Sequence, residues 1–126
     1  MPQTAIRLYR NAAGKVPFEE WLENLELSDP AVYAKCLNAI LMLHSLGYEL
    51  RRPLSDVLDD GIRELRIRKG TVNYRILYFF CGENVVCLSH GIRKEKTVPK
   101  RDIDLAKARK IEVEANSRKH TAEWTI

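Results

Sequence analysis

The sequence predicts an α+β fold in which helices pack mainly on one face of a twisted antiparallel sheet. Apolar residues recur with helical spacing over residues 17–47, whereas the period changes to two over residues 62–91. The chain has 126 residues, enough for one core in two layers and too few for two independent cores. We therefore expect a single domain over residues 1–126.

A strand and a helical hairpin are predicted first. The segment TAIRLYR alternates apolar and polar side chains, as a strand does. Pro17 suits the first turn of a helix over about residues 17–26, and Glu19 and Glu20 complement its dipole. The motif SDP then begins a second helix, for which Gly47 supplies the end.

Three antiparallel strands and a last helix are predicted next. The strands are IRELRIRK, NYRILYFFC and VVCLSHG, joined by the turns KG and GEN. The second and third are almost continuously apolar, so we expect them to be central and covered on at least one side. Pro99 begins the last helix. Residues 114–126 have no clear period, which leaves open both a flexible tail and docking through Trp124 and Ile126.

Composition favours a folded cytoplasmic protein. Hydrophobic residues make up 45% of the chain and charged residues 30%, as in globular proteins. No apolar run approaches the roughly 18 residues of a membrane helix, and the N-terminus lacks the apolar segment of a secretion signal. We expect no membrane partner. The cysteines, an odd number within apolar segments, indicate buried thiols rather than a disulfide framework or a zinc site: Cys36, Cys81 and Cys87.

Positive charge is concentrated in the middle of the chain. Residues 1–60 carry 6 Lys/Arg and 9 Asp/Glu, residues 61–101 carry 10 and 3, and residues 102–126 carry 5 and 5. The middle segment therefore has a net charge of +7, against +4 for the whole chain. Such a local excess attracts polyanions. A solvated face would also explain the count, but the position of the excess on predicted strands favours a binding surface.

Four motifs follow one another in order: ELR on the first strand of the three, YRILYF on the second, CLSHGI on the third, and RKEKTVP leading into KRDIDLAKARK. Over about residues 61–113 they resemble the RelE/ParE superfamily of type II toxin-antitoxin toxins, in particular its HigB-like, phage-derived branch. The resemblance implies a RelE-like fold and a ribosome-dependent mRNA endonuclease, or mRNA interferase, that inhibits translation. It also implies an antitoxin partner, with a helix-turn-helix, HigA-like fold.

The resemblance further implies that the 2′-hydroxyl of the RNA attacks the adjacent phosphate without a metal or other cofactor. Arg75 matches the family's strand arginine, and its guanidinium fork suits two phosphate oxygens. Lys94 matches the family's basic cluster after the last strand. His90 is a candidate acid or base, because the ordinary pKa of histidine is near neutrality. A histidine at a strand end is also often a structural residue, and the family uses Lys, Arg and Tyr for this chemistry as well.

Further basic residues are candidate RNA contacts, on the neighbouring strand and after the last strand: Arg66, Arg68, Arg93, Lys96, Lys100 and Arg101. Arg66 and Arg68 would also suit the solvated face of an edge strand. Glu95 interrupts the basic run where many HigB-like chains have an aromatic residue followed by a Lys-Lys pair. It either forms a salt bridge that orders the loop or lowers the local field.

Two other functions fit the same fold. A ParE-like DNA gyrase poison would use the basic residues as a protein interface. A non-catalytic nucleic-acid-binding phage accessory protein would contact phosphates without cutting. Because function depends on the site rather than on the fold, these alternatives stay open, and the feature that favours a nuclease is the predicted coincidence of Arg75, His90 and Lys94 on adjacent strand ends.

Overall fold

The structure is a computed structural model that describes residues 3–93 and 96–124. In chain order its elements are β1 (Ala5–Tyr9), α1 (Pro17–Ser28), α2 (Pro30–Leu46), a 3-10 helix (Gly47–Glu49), β2 (Ser55–Asp59), β3 (Ile62–Lys69), β4 (Val72–Gly82), β5 (Val85–Arg93), α3 (Lys100–Ala115), α4 (Ser117–His120) and β6 (Thr121–Glu123). This order confirms the predicted RelE-like α+β class, with an N-terminal helical hairpin and a C-terminal helix.

The strands form one mostly antiparallel sheet with the order β2-β3-β4-β5-β1-β6. Only β1 and β5 are parallel among the pairs described, with Ala5 beside Val85. The sequence did not predict which strands would be parallel. The helical hairpin lies between β1 and the later strands, and a crossover of that length allows parallel entry.

The helical hairpin begins and ends where the sequence predicts. Asp29 ends α1 and caps α2, because its side chain accepts a hydrogen bond from the Val32 N–H at 3.3 Å. Pro30 occupies the first turn of α2. Gly47 follows the last residue of α2 with φ +53°, and a Cβ at this position would lie 2.2 Å from the Thr4 hydroxyl oxygen. Glycine therefore meets both a conformational and a steric requirement here.

The larger core lies between the sheet and the α1–α2 hairpin. It includes Phe18 and Leu22 from α1, Ile40 and Leu43 from α2, and Tyr78 from β4. These side chains are almost fully buried. The predicted apolar stripes of the two helices are thus core surfaces.

A second core lies on the opposite face of the sheet, under α3. Ala106 and Val113 of this helix pack with Leu77, Phe79 and Cys87. Helices therefore cover both faces, whereas the sequence predicted helices mainly on one. The central strands are apolar at almost every position. Because successive side chains on a strand point to opposite faces, both faces of these strands are apolar and both need cover. The basic residues share this second face with α3.

The C-terminal residues described extend the sheet. β6 pairs antiparallel with β1, and Arg7 lies opposite Glu123. The Trp124 ring packs on the first core, 6.4 Å from the Phe18 ring between centroids. Ile126, the other predicted docking residue, lies outside the described residues. Within the described part of the chain, no helix is both long enough and apolar enough to cross a membrane.

Candidate nucleic-acid interface

A buried carboxylate joins two of the predicted cations. Glu64 on β3 has a fully buried side chain, and its Oε1 accepts hydrogen bonds from Arg75 Nη1 and from Arg66 Nε, both at 2.7 Å. Arg66 and Arg75 lie directly opposite each other on β3 and β4. Their side chains are 40% and 14% exposed. Glu64 thus offsets the repulsion between two cations that the strand register brings together.

Arg75 also contacts the basic segment that follows β5. Its Nη2 donates to the backbone carbonyl of Lys96. Lys94, predicted to be catalytic, lies outside the described residues, as does Glu95. The Lys96 backbone therefore lies against the Arg75 guanidinium, and the Arg75 side chain is only 14% exposed.

Arg68 completes a set of three arginines on the same side of the sheet. It is exposed two residues beyond Arg66, and its Nε donates to the Gly70 carbonyl at 2.9 Å. We call Arg66, Arg68 and Arg75 the basic face. It lies on the side of the sheet that carries α3, opposite the helical hairpin.

Acidic groups lower the field of the basic face. Asp56 on β2 accepts hydrogen bonds from Arg66 Nη2 at 3.1 Å and from Arg52 Nε at 3.0 Å. The hydrogen bond from Arg52 holds the pKa of Asp56 below its usual range. The alternating series Arg75, Glu64, Arg66, Asp56, Arg52 thus crosses from β4 to the β2 edge. A simple count of basic residues overstates the positive potential here.

His90 lies on the same side of the sheet, opposite Leu77, and is only 9% exposed. Burial lowers its pKa, and the positive charge of Arg109 adds to this effect, while Asp102 opposes it. The ring is therefore neutral at pH 7. Its Nε2 lies 3.2 Å from Asp102 Oδ1 and its Nδ1 lies 2.7 Å from Ser89 Oγ.

These partners assign the tautomer of His90. A carboxylate accepts only, so Nε2 carries the hydrogen and donates to Asp102, whereas Nδ1 accepts from the Ser89 hydroxyl. The one donor and the one acceptor of the neutral ring are then both engaged within the protein. His90 thus connects β5 to the first turn of α3, as a structural residue does.

Arg93 lies apart from the basic face. Strand alternation places Ile92 in the core under α3 and Arg93 on the side of the helical hairpin. There its guanidinium carbon lies 6.0 Å from the centroid of the Tyr74 ring, in a pocket that Trp21 also lines. Arg93 therefore lies on the opposite side of the sheet from the basic face, because β5 continues two residues beyond the predicted strand VVCLSHG.

The remaining predicted contacts follow β5, up to the first turn of α3. Lys96 is exposed, and Lys100 and Arg101 are exposed in the first turn of α3. Lys100 pairs with Asp104 at 3.3 Å. Surface pairs of this kind are weak, so Lys100 is free to exchange its partner for a phosphate.

Sequence reasoning missed the acidic residues that position the cations. Neither Glu64 nor Asp102 was among the predicted site residues. The available signal was the spacing of Glu64 and Arg66, which puts them on one side of a strand otherwise rich in arginine. Residues 3–93 and 96–124 contain no group of three or more His, Cys, Asp or Glu side chains that could hold a metal ion.

Comparison with known families identifies the class of protein. Residues 20–110 match the family model described as Phage derived protein Gp49-like (DUF891). This match covers more than half of the chain, so the chain belongs to the phage-derived Gp49-like family. The family falls within the RelE/HigB-type toxin-like group, which is compatible with a toxin of a toxin-antitoxin system. No curated protein matches the chain at a significant level.

Proposed function

We propose that this protein is the toxin of a type II toxin-antitoxin system and acts as a ribosome-dependent mRNA endonuclease. One observation supports the proposal above the others. The Arg75 guanidinium is held between the buried Glu64 carboxylate and the Lys96 carbonyl, so a fixed cation lies beside the basic segment after β5. Cations that are oriented before the reaction stabilise developing charge without reorganisation.

The proposed reaction is an internal transfer at one phosphodiester. The 2′-oxygen forms a bond to phosphorus while the bond from phosphorus to the 5′-oxygen breaks, which leaves a 2′,3′-cyclic phosphate and a 5′-hydroxyl. One group accepts the proton of the 2′-hydroxyl and another gives a proton to the departing 5′-oxygen. In the pentacoordinate transition state the phosphoryl oxygens carry extra negative charge, which a guanidinium can stabilise.

In this proposal Arg75 stabilises the transition state and Lys94 contacts the reacting phosphate. The flanking phosphates bind the exposed cations around them: Arg66, Arg68, Lys96, Lys100 and Arg101. We assign His90 a positioning role, because both of its ring nitrogens have partners within the protein. It holds the first turn of α3 against β5, and so fixes one end of the segment that carries Lys94. The lysines of that segment are the groups proposed to exchange protons.

Mapping of mRNA ends tests the function. The chain is induced in growing bacteria with and without the neighbouring gene, and the 5′ ends of cellular mRNA are compared. We expect new ends within translated regions for the wild type and none for Arg75→Ala. Growth arrest with unchanged mRNA ends but with gyrase-dependent DNA breaks would identify a gyrase poison instead. RNA binding without new ends would identify an accessory protein.

We further propose that an antitoxin neutralises the protein by covering the basic face. Membership in a toxin-like family supports such a partner. A complementary acidic surface would make association fast and sensitive to salt. The test is copurification with the neighbouring gene product at low and high salt. Failure to copurify at low salt would contradict this proposal.

A further inference from the structure

A second cationic and aromatic cluster lies at the β2 end of the sheet, outside the site described above. The Tyr48 ring, in the 3-10 helix after α2, stacks on Phe80 of β4 with centroids 3.5 Å apart and planes 9° from parallel. Tyr48 is nonetheless 53% exposed. One face of its ring is therefore covered by Phe80 while much of the residue faces solvent.

Arg63 lies beside this stack rather than on top of it. Its guanidinium carbon is 5.8 Å from the centroid of Tyr48 and 5.4 Å from that of Phe80. An arginine over the outer face of Tyr48 would be several ångströms further from Phe80 than from Tyr48. The nearly equal distances place the cation at the rim of both rings, so Arg63 does not cover the outer face of Tyr48. With the residue 53% exposed, a planar ligand can approach the ring from solvent.

The stack borders a cleft with an excess of positive charge. The cleft has a volume of about 420 Å³, and among the described residues its lining includes Arg51, Arg52 and Arg63 and a single acidic residue, Asp56. Asp56 is shared, because it pairs with both Arg52 and Arg66. The arginines at the cleft therefore outnumber the carboxylate that could neutralise them.

We propose that this aromatic-arginine platform, formed by Tyr48, Phe80, Arg51, Arg52 and Arg63, binds single-stranded RNA. A nucleobase stacks on the outer face of Tyr48, and the phosphates on either side contact the arginines. Proteins bind single strands in this way, by stacking unpaired bases on aromatic rings within a positively charged groove. An open ring face with cations at its rim offers both interactions.

The platform is continuous with the basic face. Asp56 bridges Arg52 at the cleft and Arg66 on β3, so the alternating ion pairs lead round the β2 edge of the sheet. An RNA strand that binds the platform is thereby directed toward Arg75. The platform binds a neighbouring stretch of RNA and takes no part in the bond-breaking step.

The choice of RNA as the ligand rests on the proposed function. The test therefore measures RNA binding by the platform separately from RNA cleavage. Fluorescence anisotropy measures binding of a labelled, 2′-O-methylated single-stranded oligonucleotide, which cannot undergo 2′-hydroxyl attack. We expect Tyr48→Leu to weaken binding about 5- to 150-fold, the effect of losing one stacked base, and Tyr48→Trp to preserve it. Binding that depends on Tyr48 while ribosomal cleavage is absent would support the platform and contradict the nuclease.

The charge contribution has its own test and control. We expect Arg51→Ala to reduce the slope of log affinity against log salt by about 0.7, the value for one phosphate contact to a single strand. Arg118→Ala is the matched control, because Arg118 is also exposed but lies in α4, away from the cleft. Unchanged affinity and slope in folded Tyr48→Leu and Arg51→Ala would overturn the proposal. A loss of antitoxin binding with unchanged RNA binding would overturn it too and define a protein interface.

Discussion

Glu64 Oε1 lies 2.7 Å from Arg75 Nη1, on a carboxylate that has no exposure to solvent. Its other oxygen, Oε2, and Arg75 Nε are both buried without a hydrogen-bond partner among the described residues. A buried ion pair that leaves polar atoms unsatisfied contributes little net stability. The pair therefore explains the fixed orientation of Arg75 better than it explains the stability of the fold.

Replacement of Arg75 should abolish cutting. We expect Arg75→Ala to reduce cleavage on ribosomes at least about 100-fold, the scale observed when one electrostatic stabiliser of a transition state is removed. Arg75→Lys keeps the charge but lacks the fork that reaches both Glu64 and the Lys96 carbonyl, so it should restore only a small part of the rate. Single-turnover cleavage on programmed ribosomes measures both variants. Full activity in a folded Arg75→Ala variant would remove Arg75 from the site.

Variants of the Glu64–Arg75 pair should show that its effect on the stability of the fold is separate from its effect on RNA cleavage. Arg75→Met alone leaves Glu64 with the half-exposed Arg66 as its cation, and we expect a loss of about 1–3 kcal/mol in the free energy of unfolding, below the full cost of an unpaired buried charge. The double variant Glu64→Leu, Arg75→Met should recover much of that loss and remain inactive. Urea unfolding and cleavage assays test the two effects. A double variant less stable than the single one would contradict this account.

His90 should make the stability of the protein depend on pH. Burial lowers its pKa in the folded state. The unfolded chain therefore takes up a proton near pH 6.5 that the folded protein does not, and stability is lost as pH falls below that value. We expect the wild type to lose more stability than His90→Gln between pH 6.5 and 5.5, by at most about 1 kcal/mol. Urea unfolding at several pH values measures the difference, and equal slopes would contradict it.

The same variant tests the role assigned to His90 in cutting. A positioning residue should change the rate of cleavage without moving the inflections of the pH-rate profile. Loss of an inflection in His90→Gln would identify His90 as a catalytic acid or base instead.

Gly91 should be intolerant of a side chain. A Cβ on Gly91 would lie 2.5 Å from three ring atoms of Trp21, so Gly91→Ala must displace the Trp21 ring and disturb the packing of α1 on β5. We expect a destabilisation of about 1–3 kcal/mol, the usual effect of overpacking. Gly82→Ala on β4 is the matched control, because its Cβ would lie 3.7 Å from Val85, an ordinary contact. Thermal unfolding of the two variants should differ clearly, and equal midpoints would contradict the packing of Trp21.

Much of the fold was predictable because it depends on local signals. Pro17, Asp29 and Gly47 set the limits of the helical hairpin, and the alternation in IRELRIRK set the phase of β3. The placement of α3 was not predictable in the same way. Its cover of Leu77 and Phe79 follows from tertiary packing, and the helix itself has only a short apolar face.

The basic residues of the candidate site could be predicted from the sequence, but the residues that hold them in place could not. Strand alternation puts Arg66 and Arg68 on one side of β3. The strand register then places Arg75 opposite Arg66, which completes the basic face. The burial of Glu64 and the contacts of His90 depend on residues far apart in sequence, such as Asp102. No periodic pattern reports whether a charged residue on a strand is solvated or enclosed.

The parallel pair of β1 and β5 also constrains the order in which the protein can be built. Ala5 has no strand neighbour until Val85 has been synthesised, and β6 covers the other edge of β1 later still. A nascent chain that stops before β5 therefore exposes Ile6 and Leu8 on an unpaired strand. Such chains are expected to require chaperones or to be degraded. Abortive synthesis should consequently yield no partly active fragment.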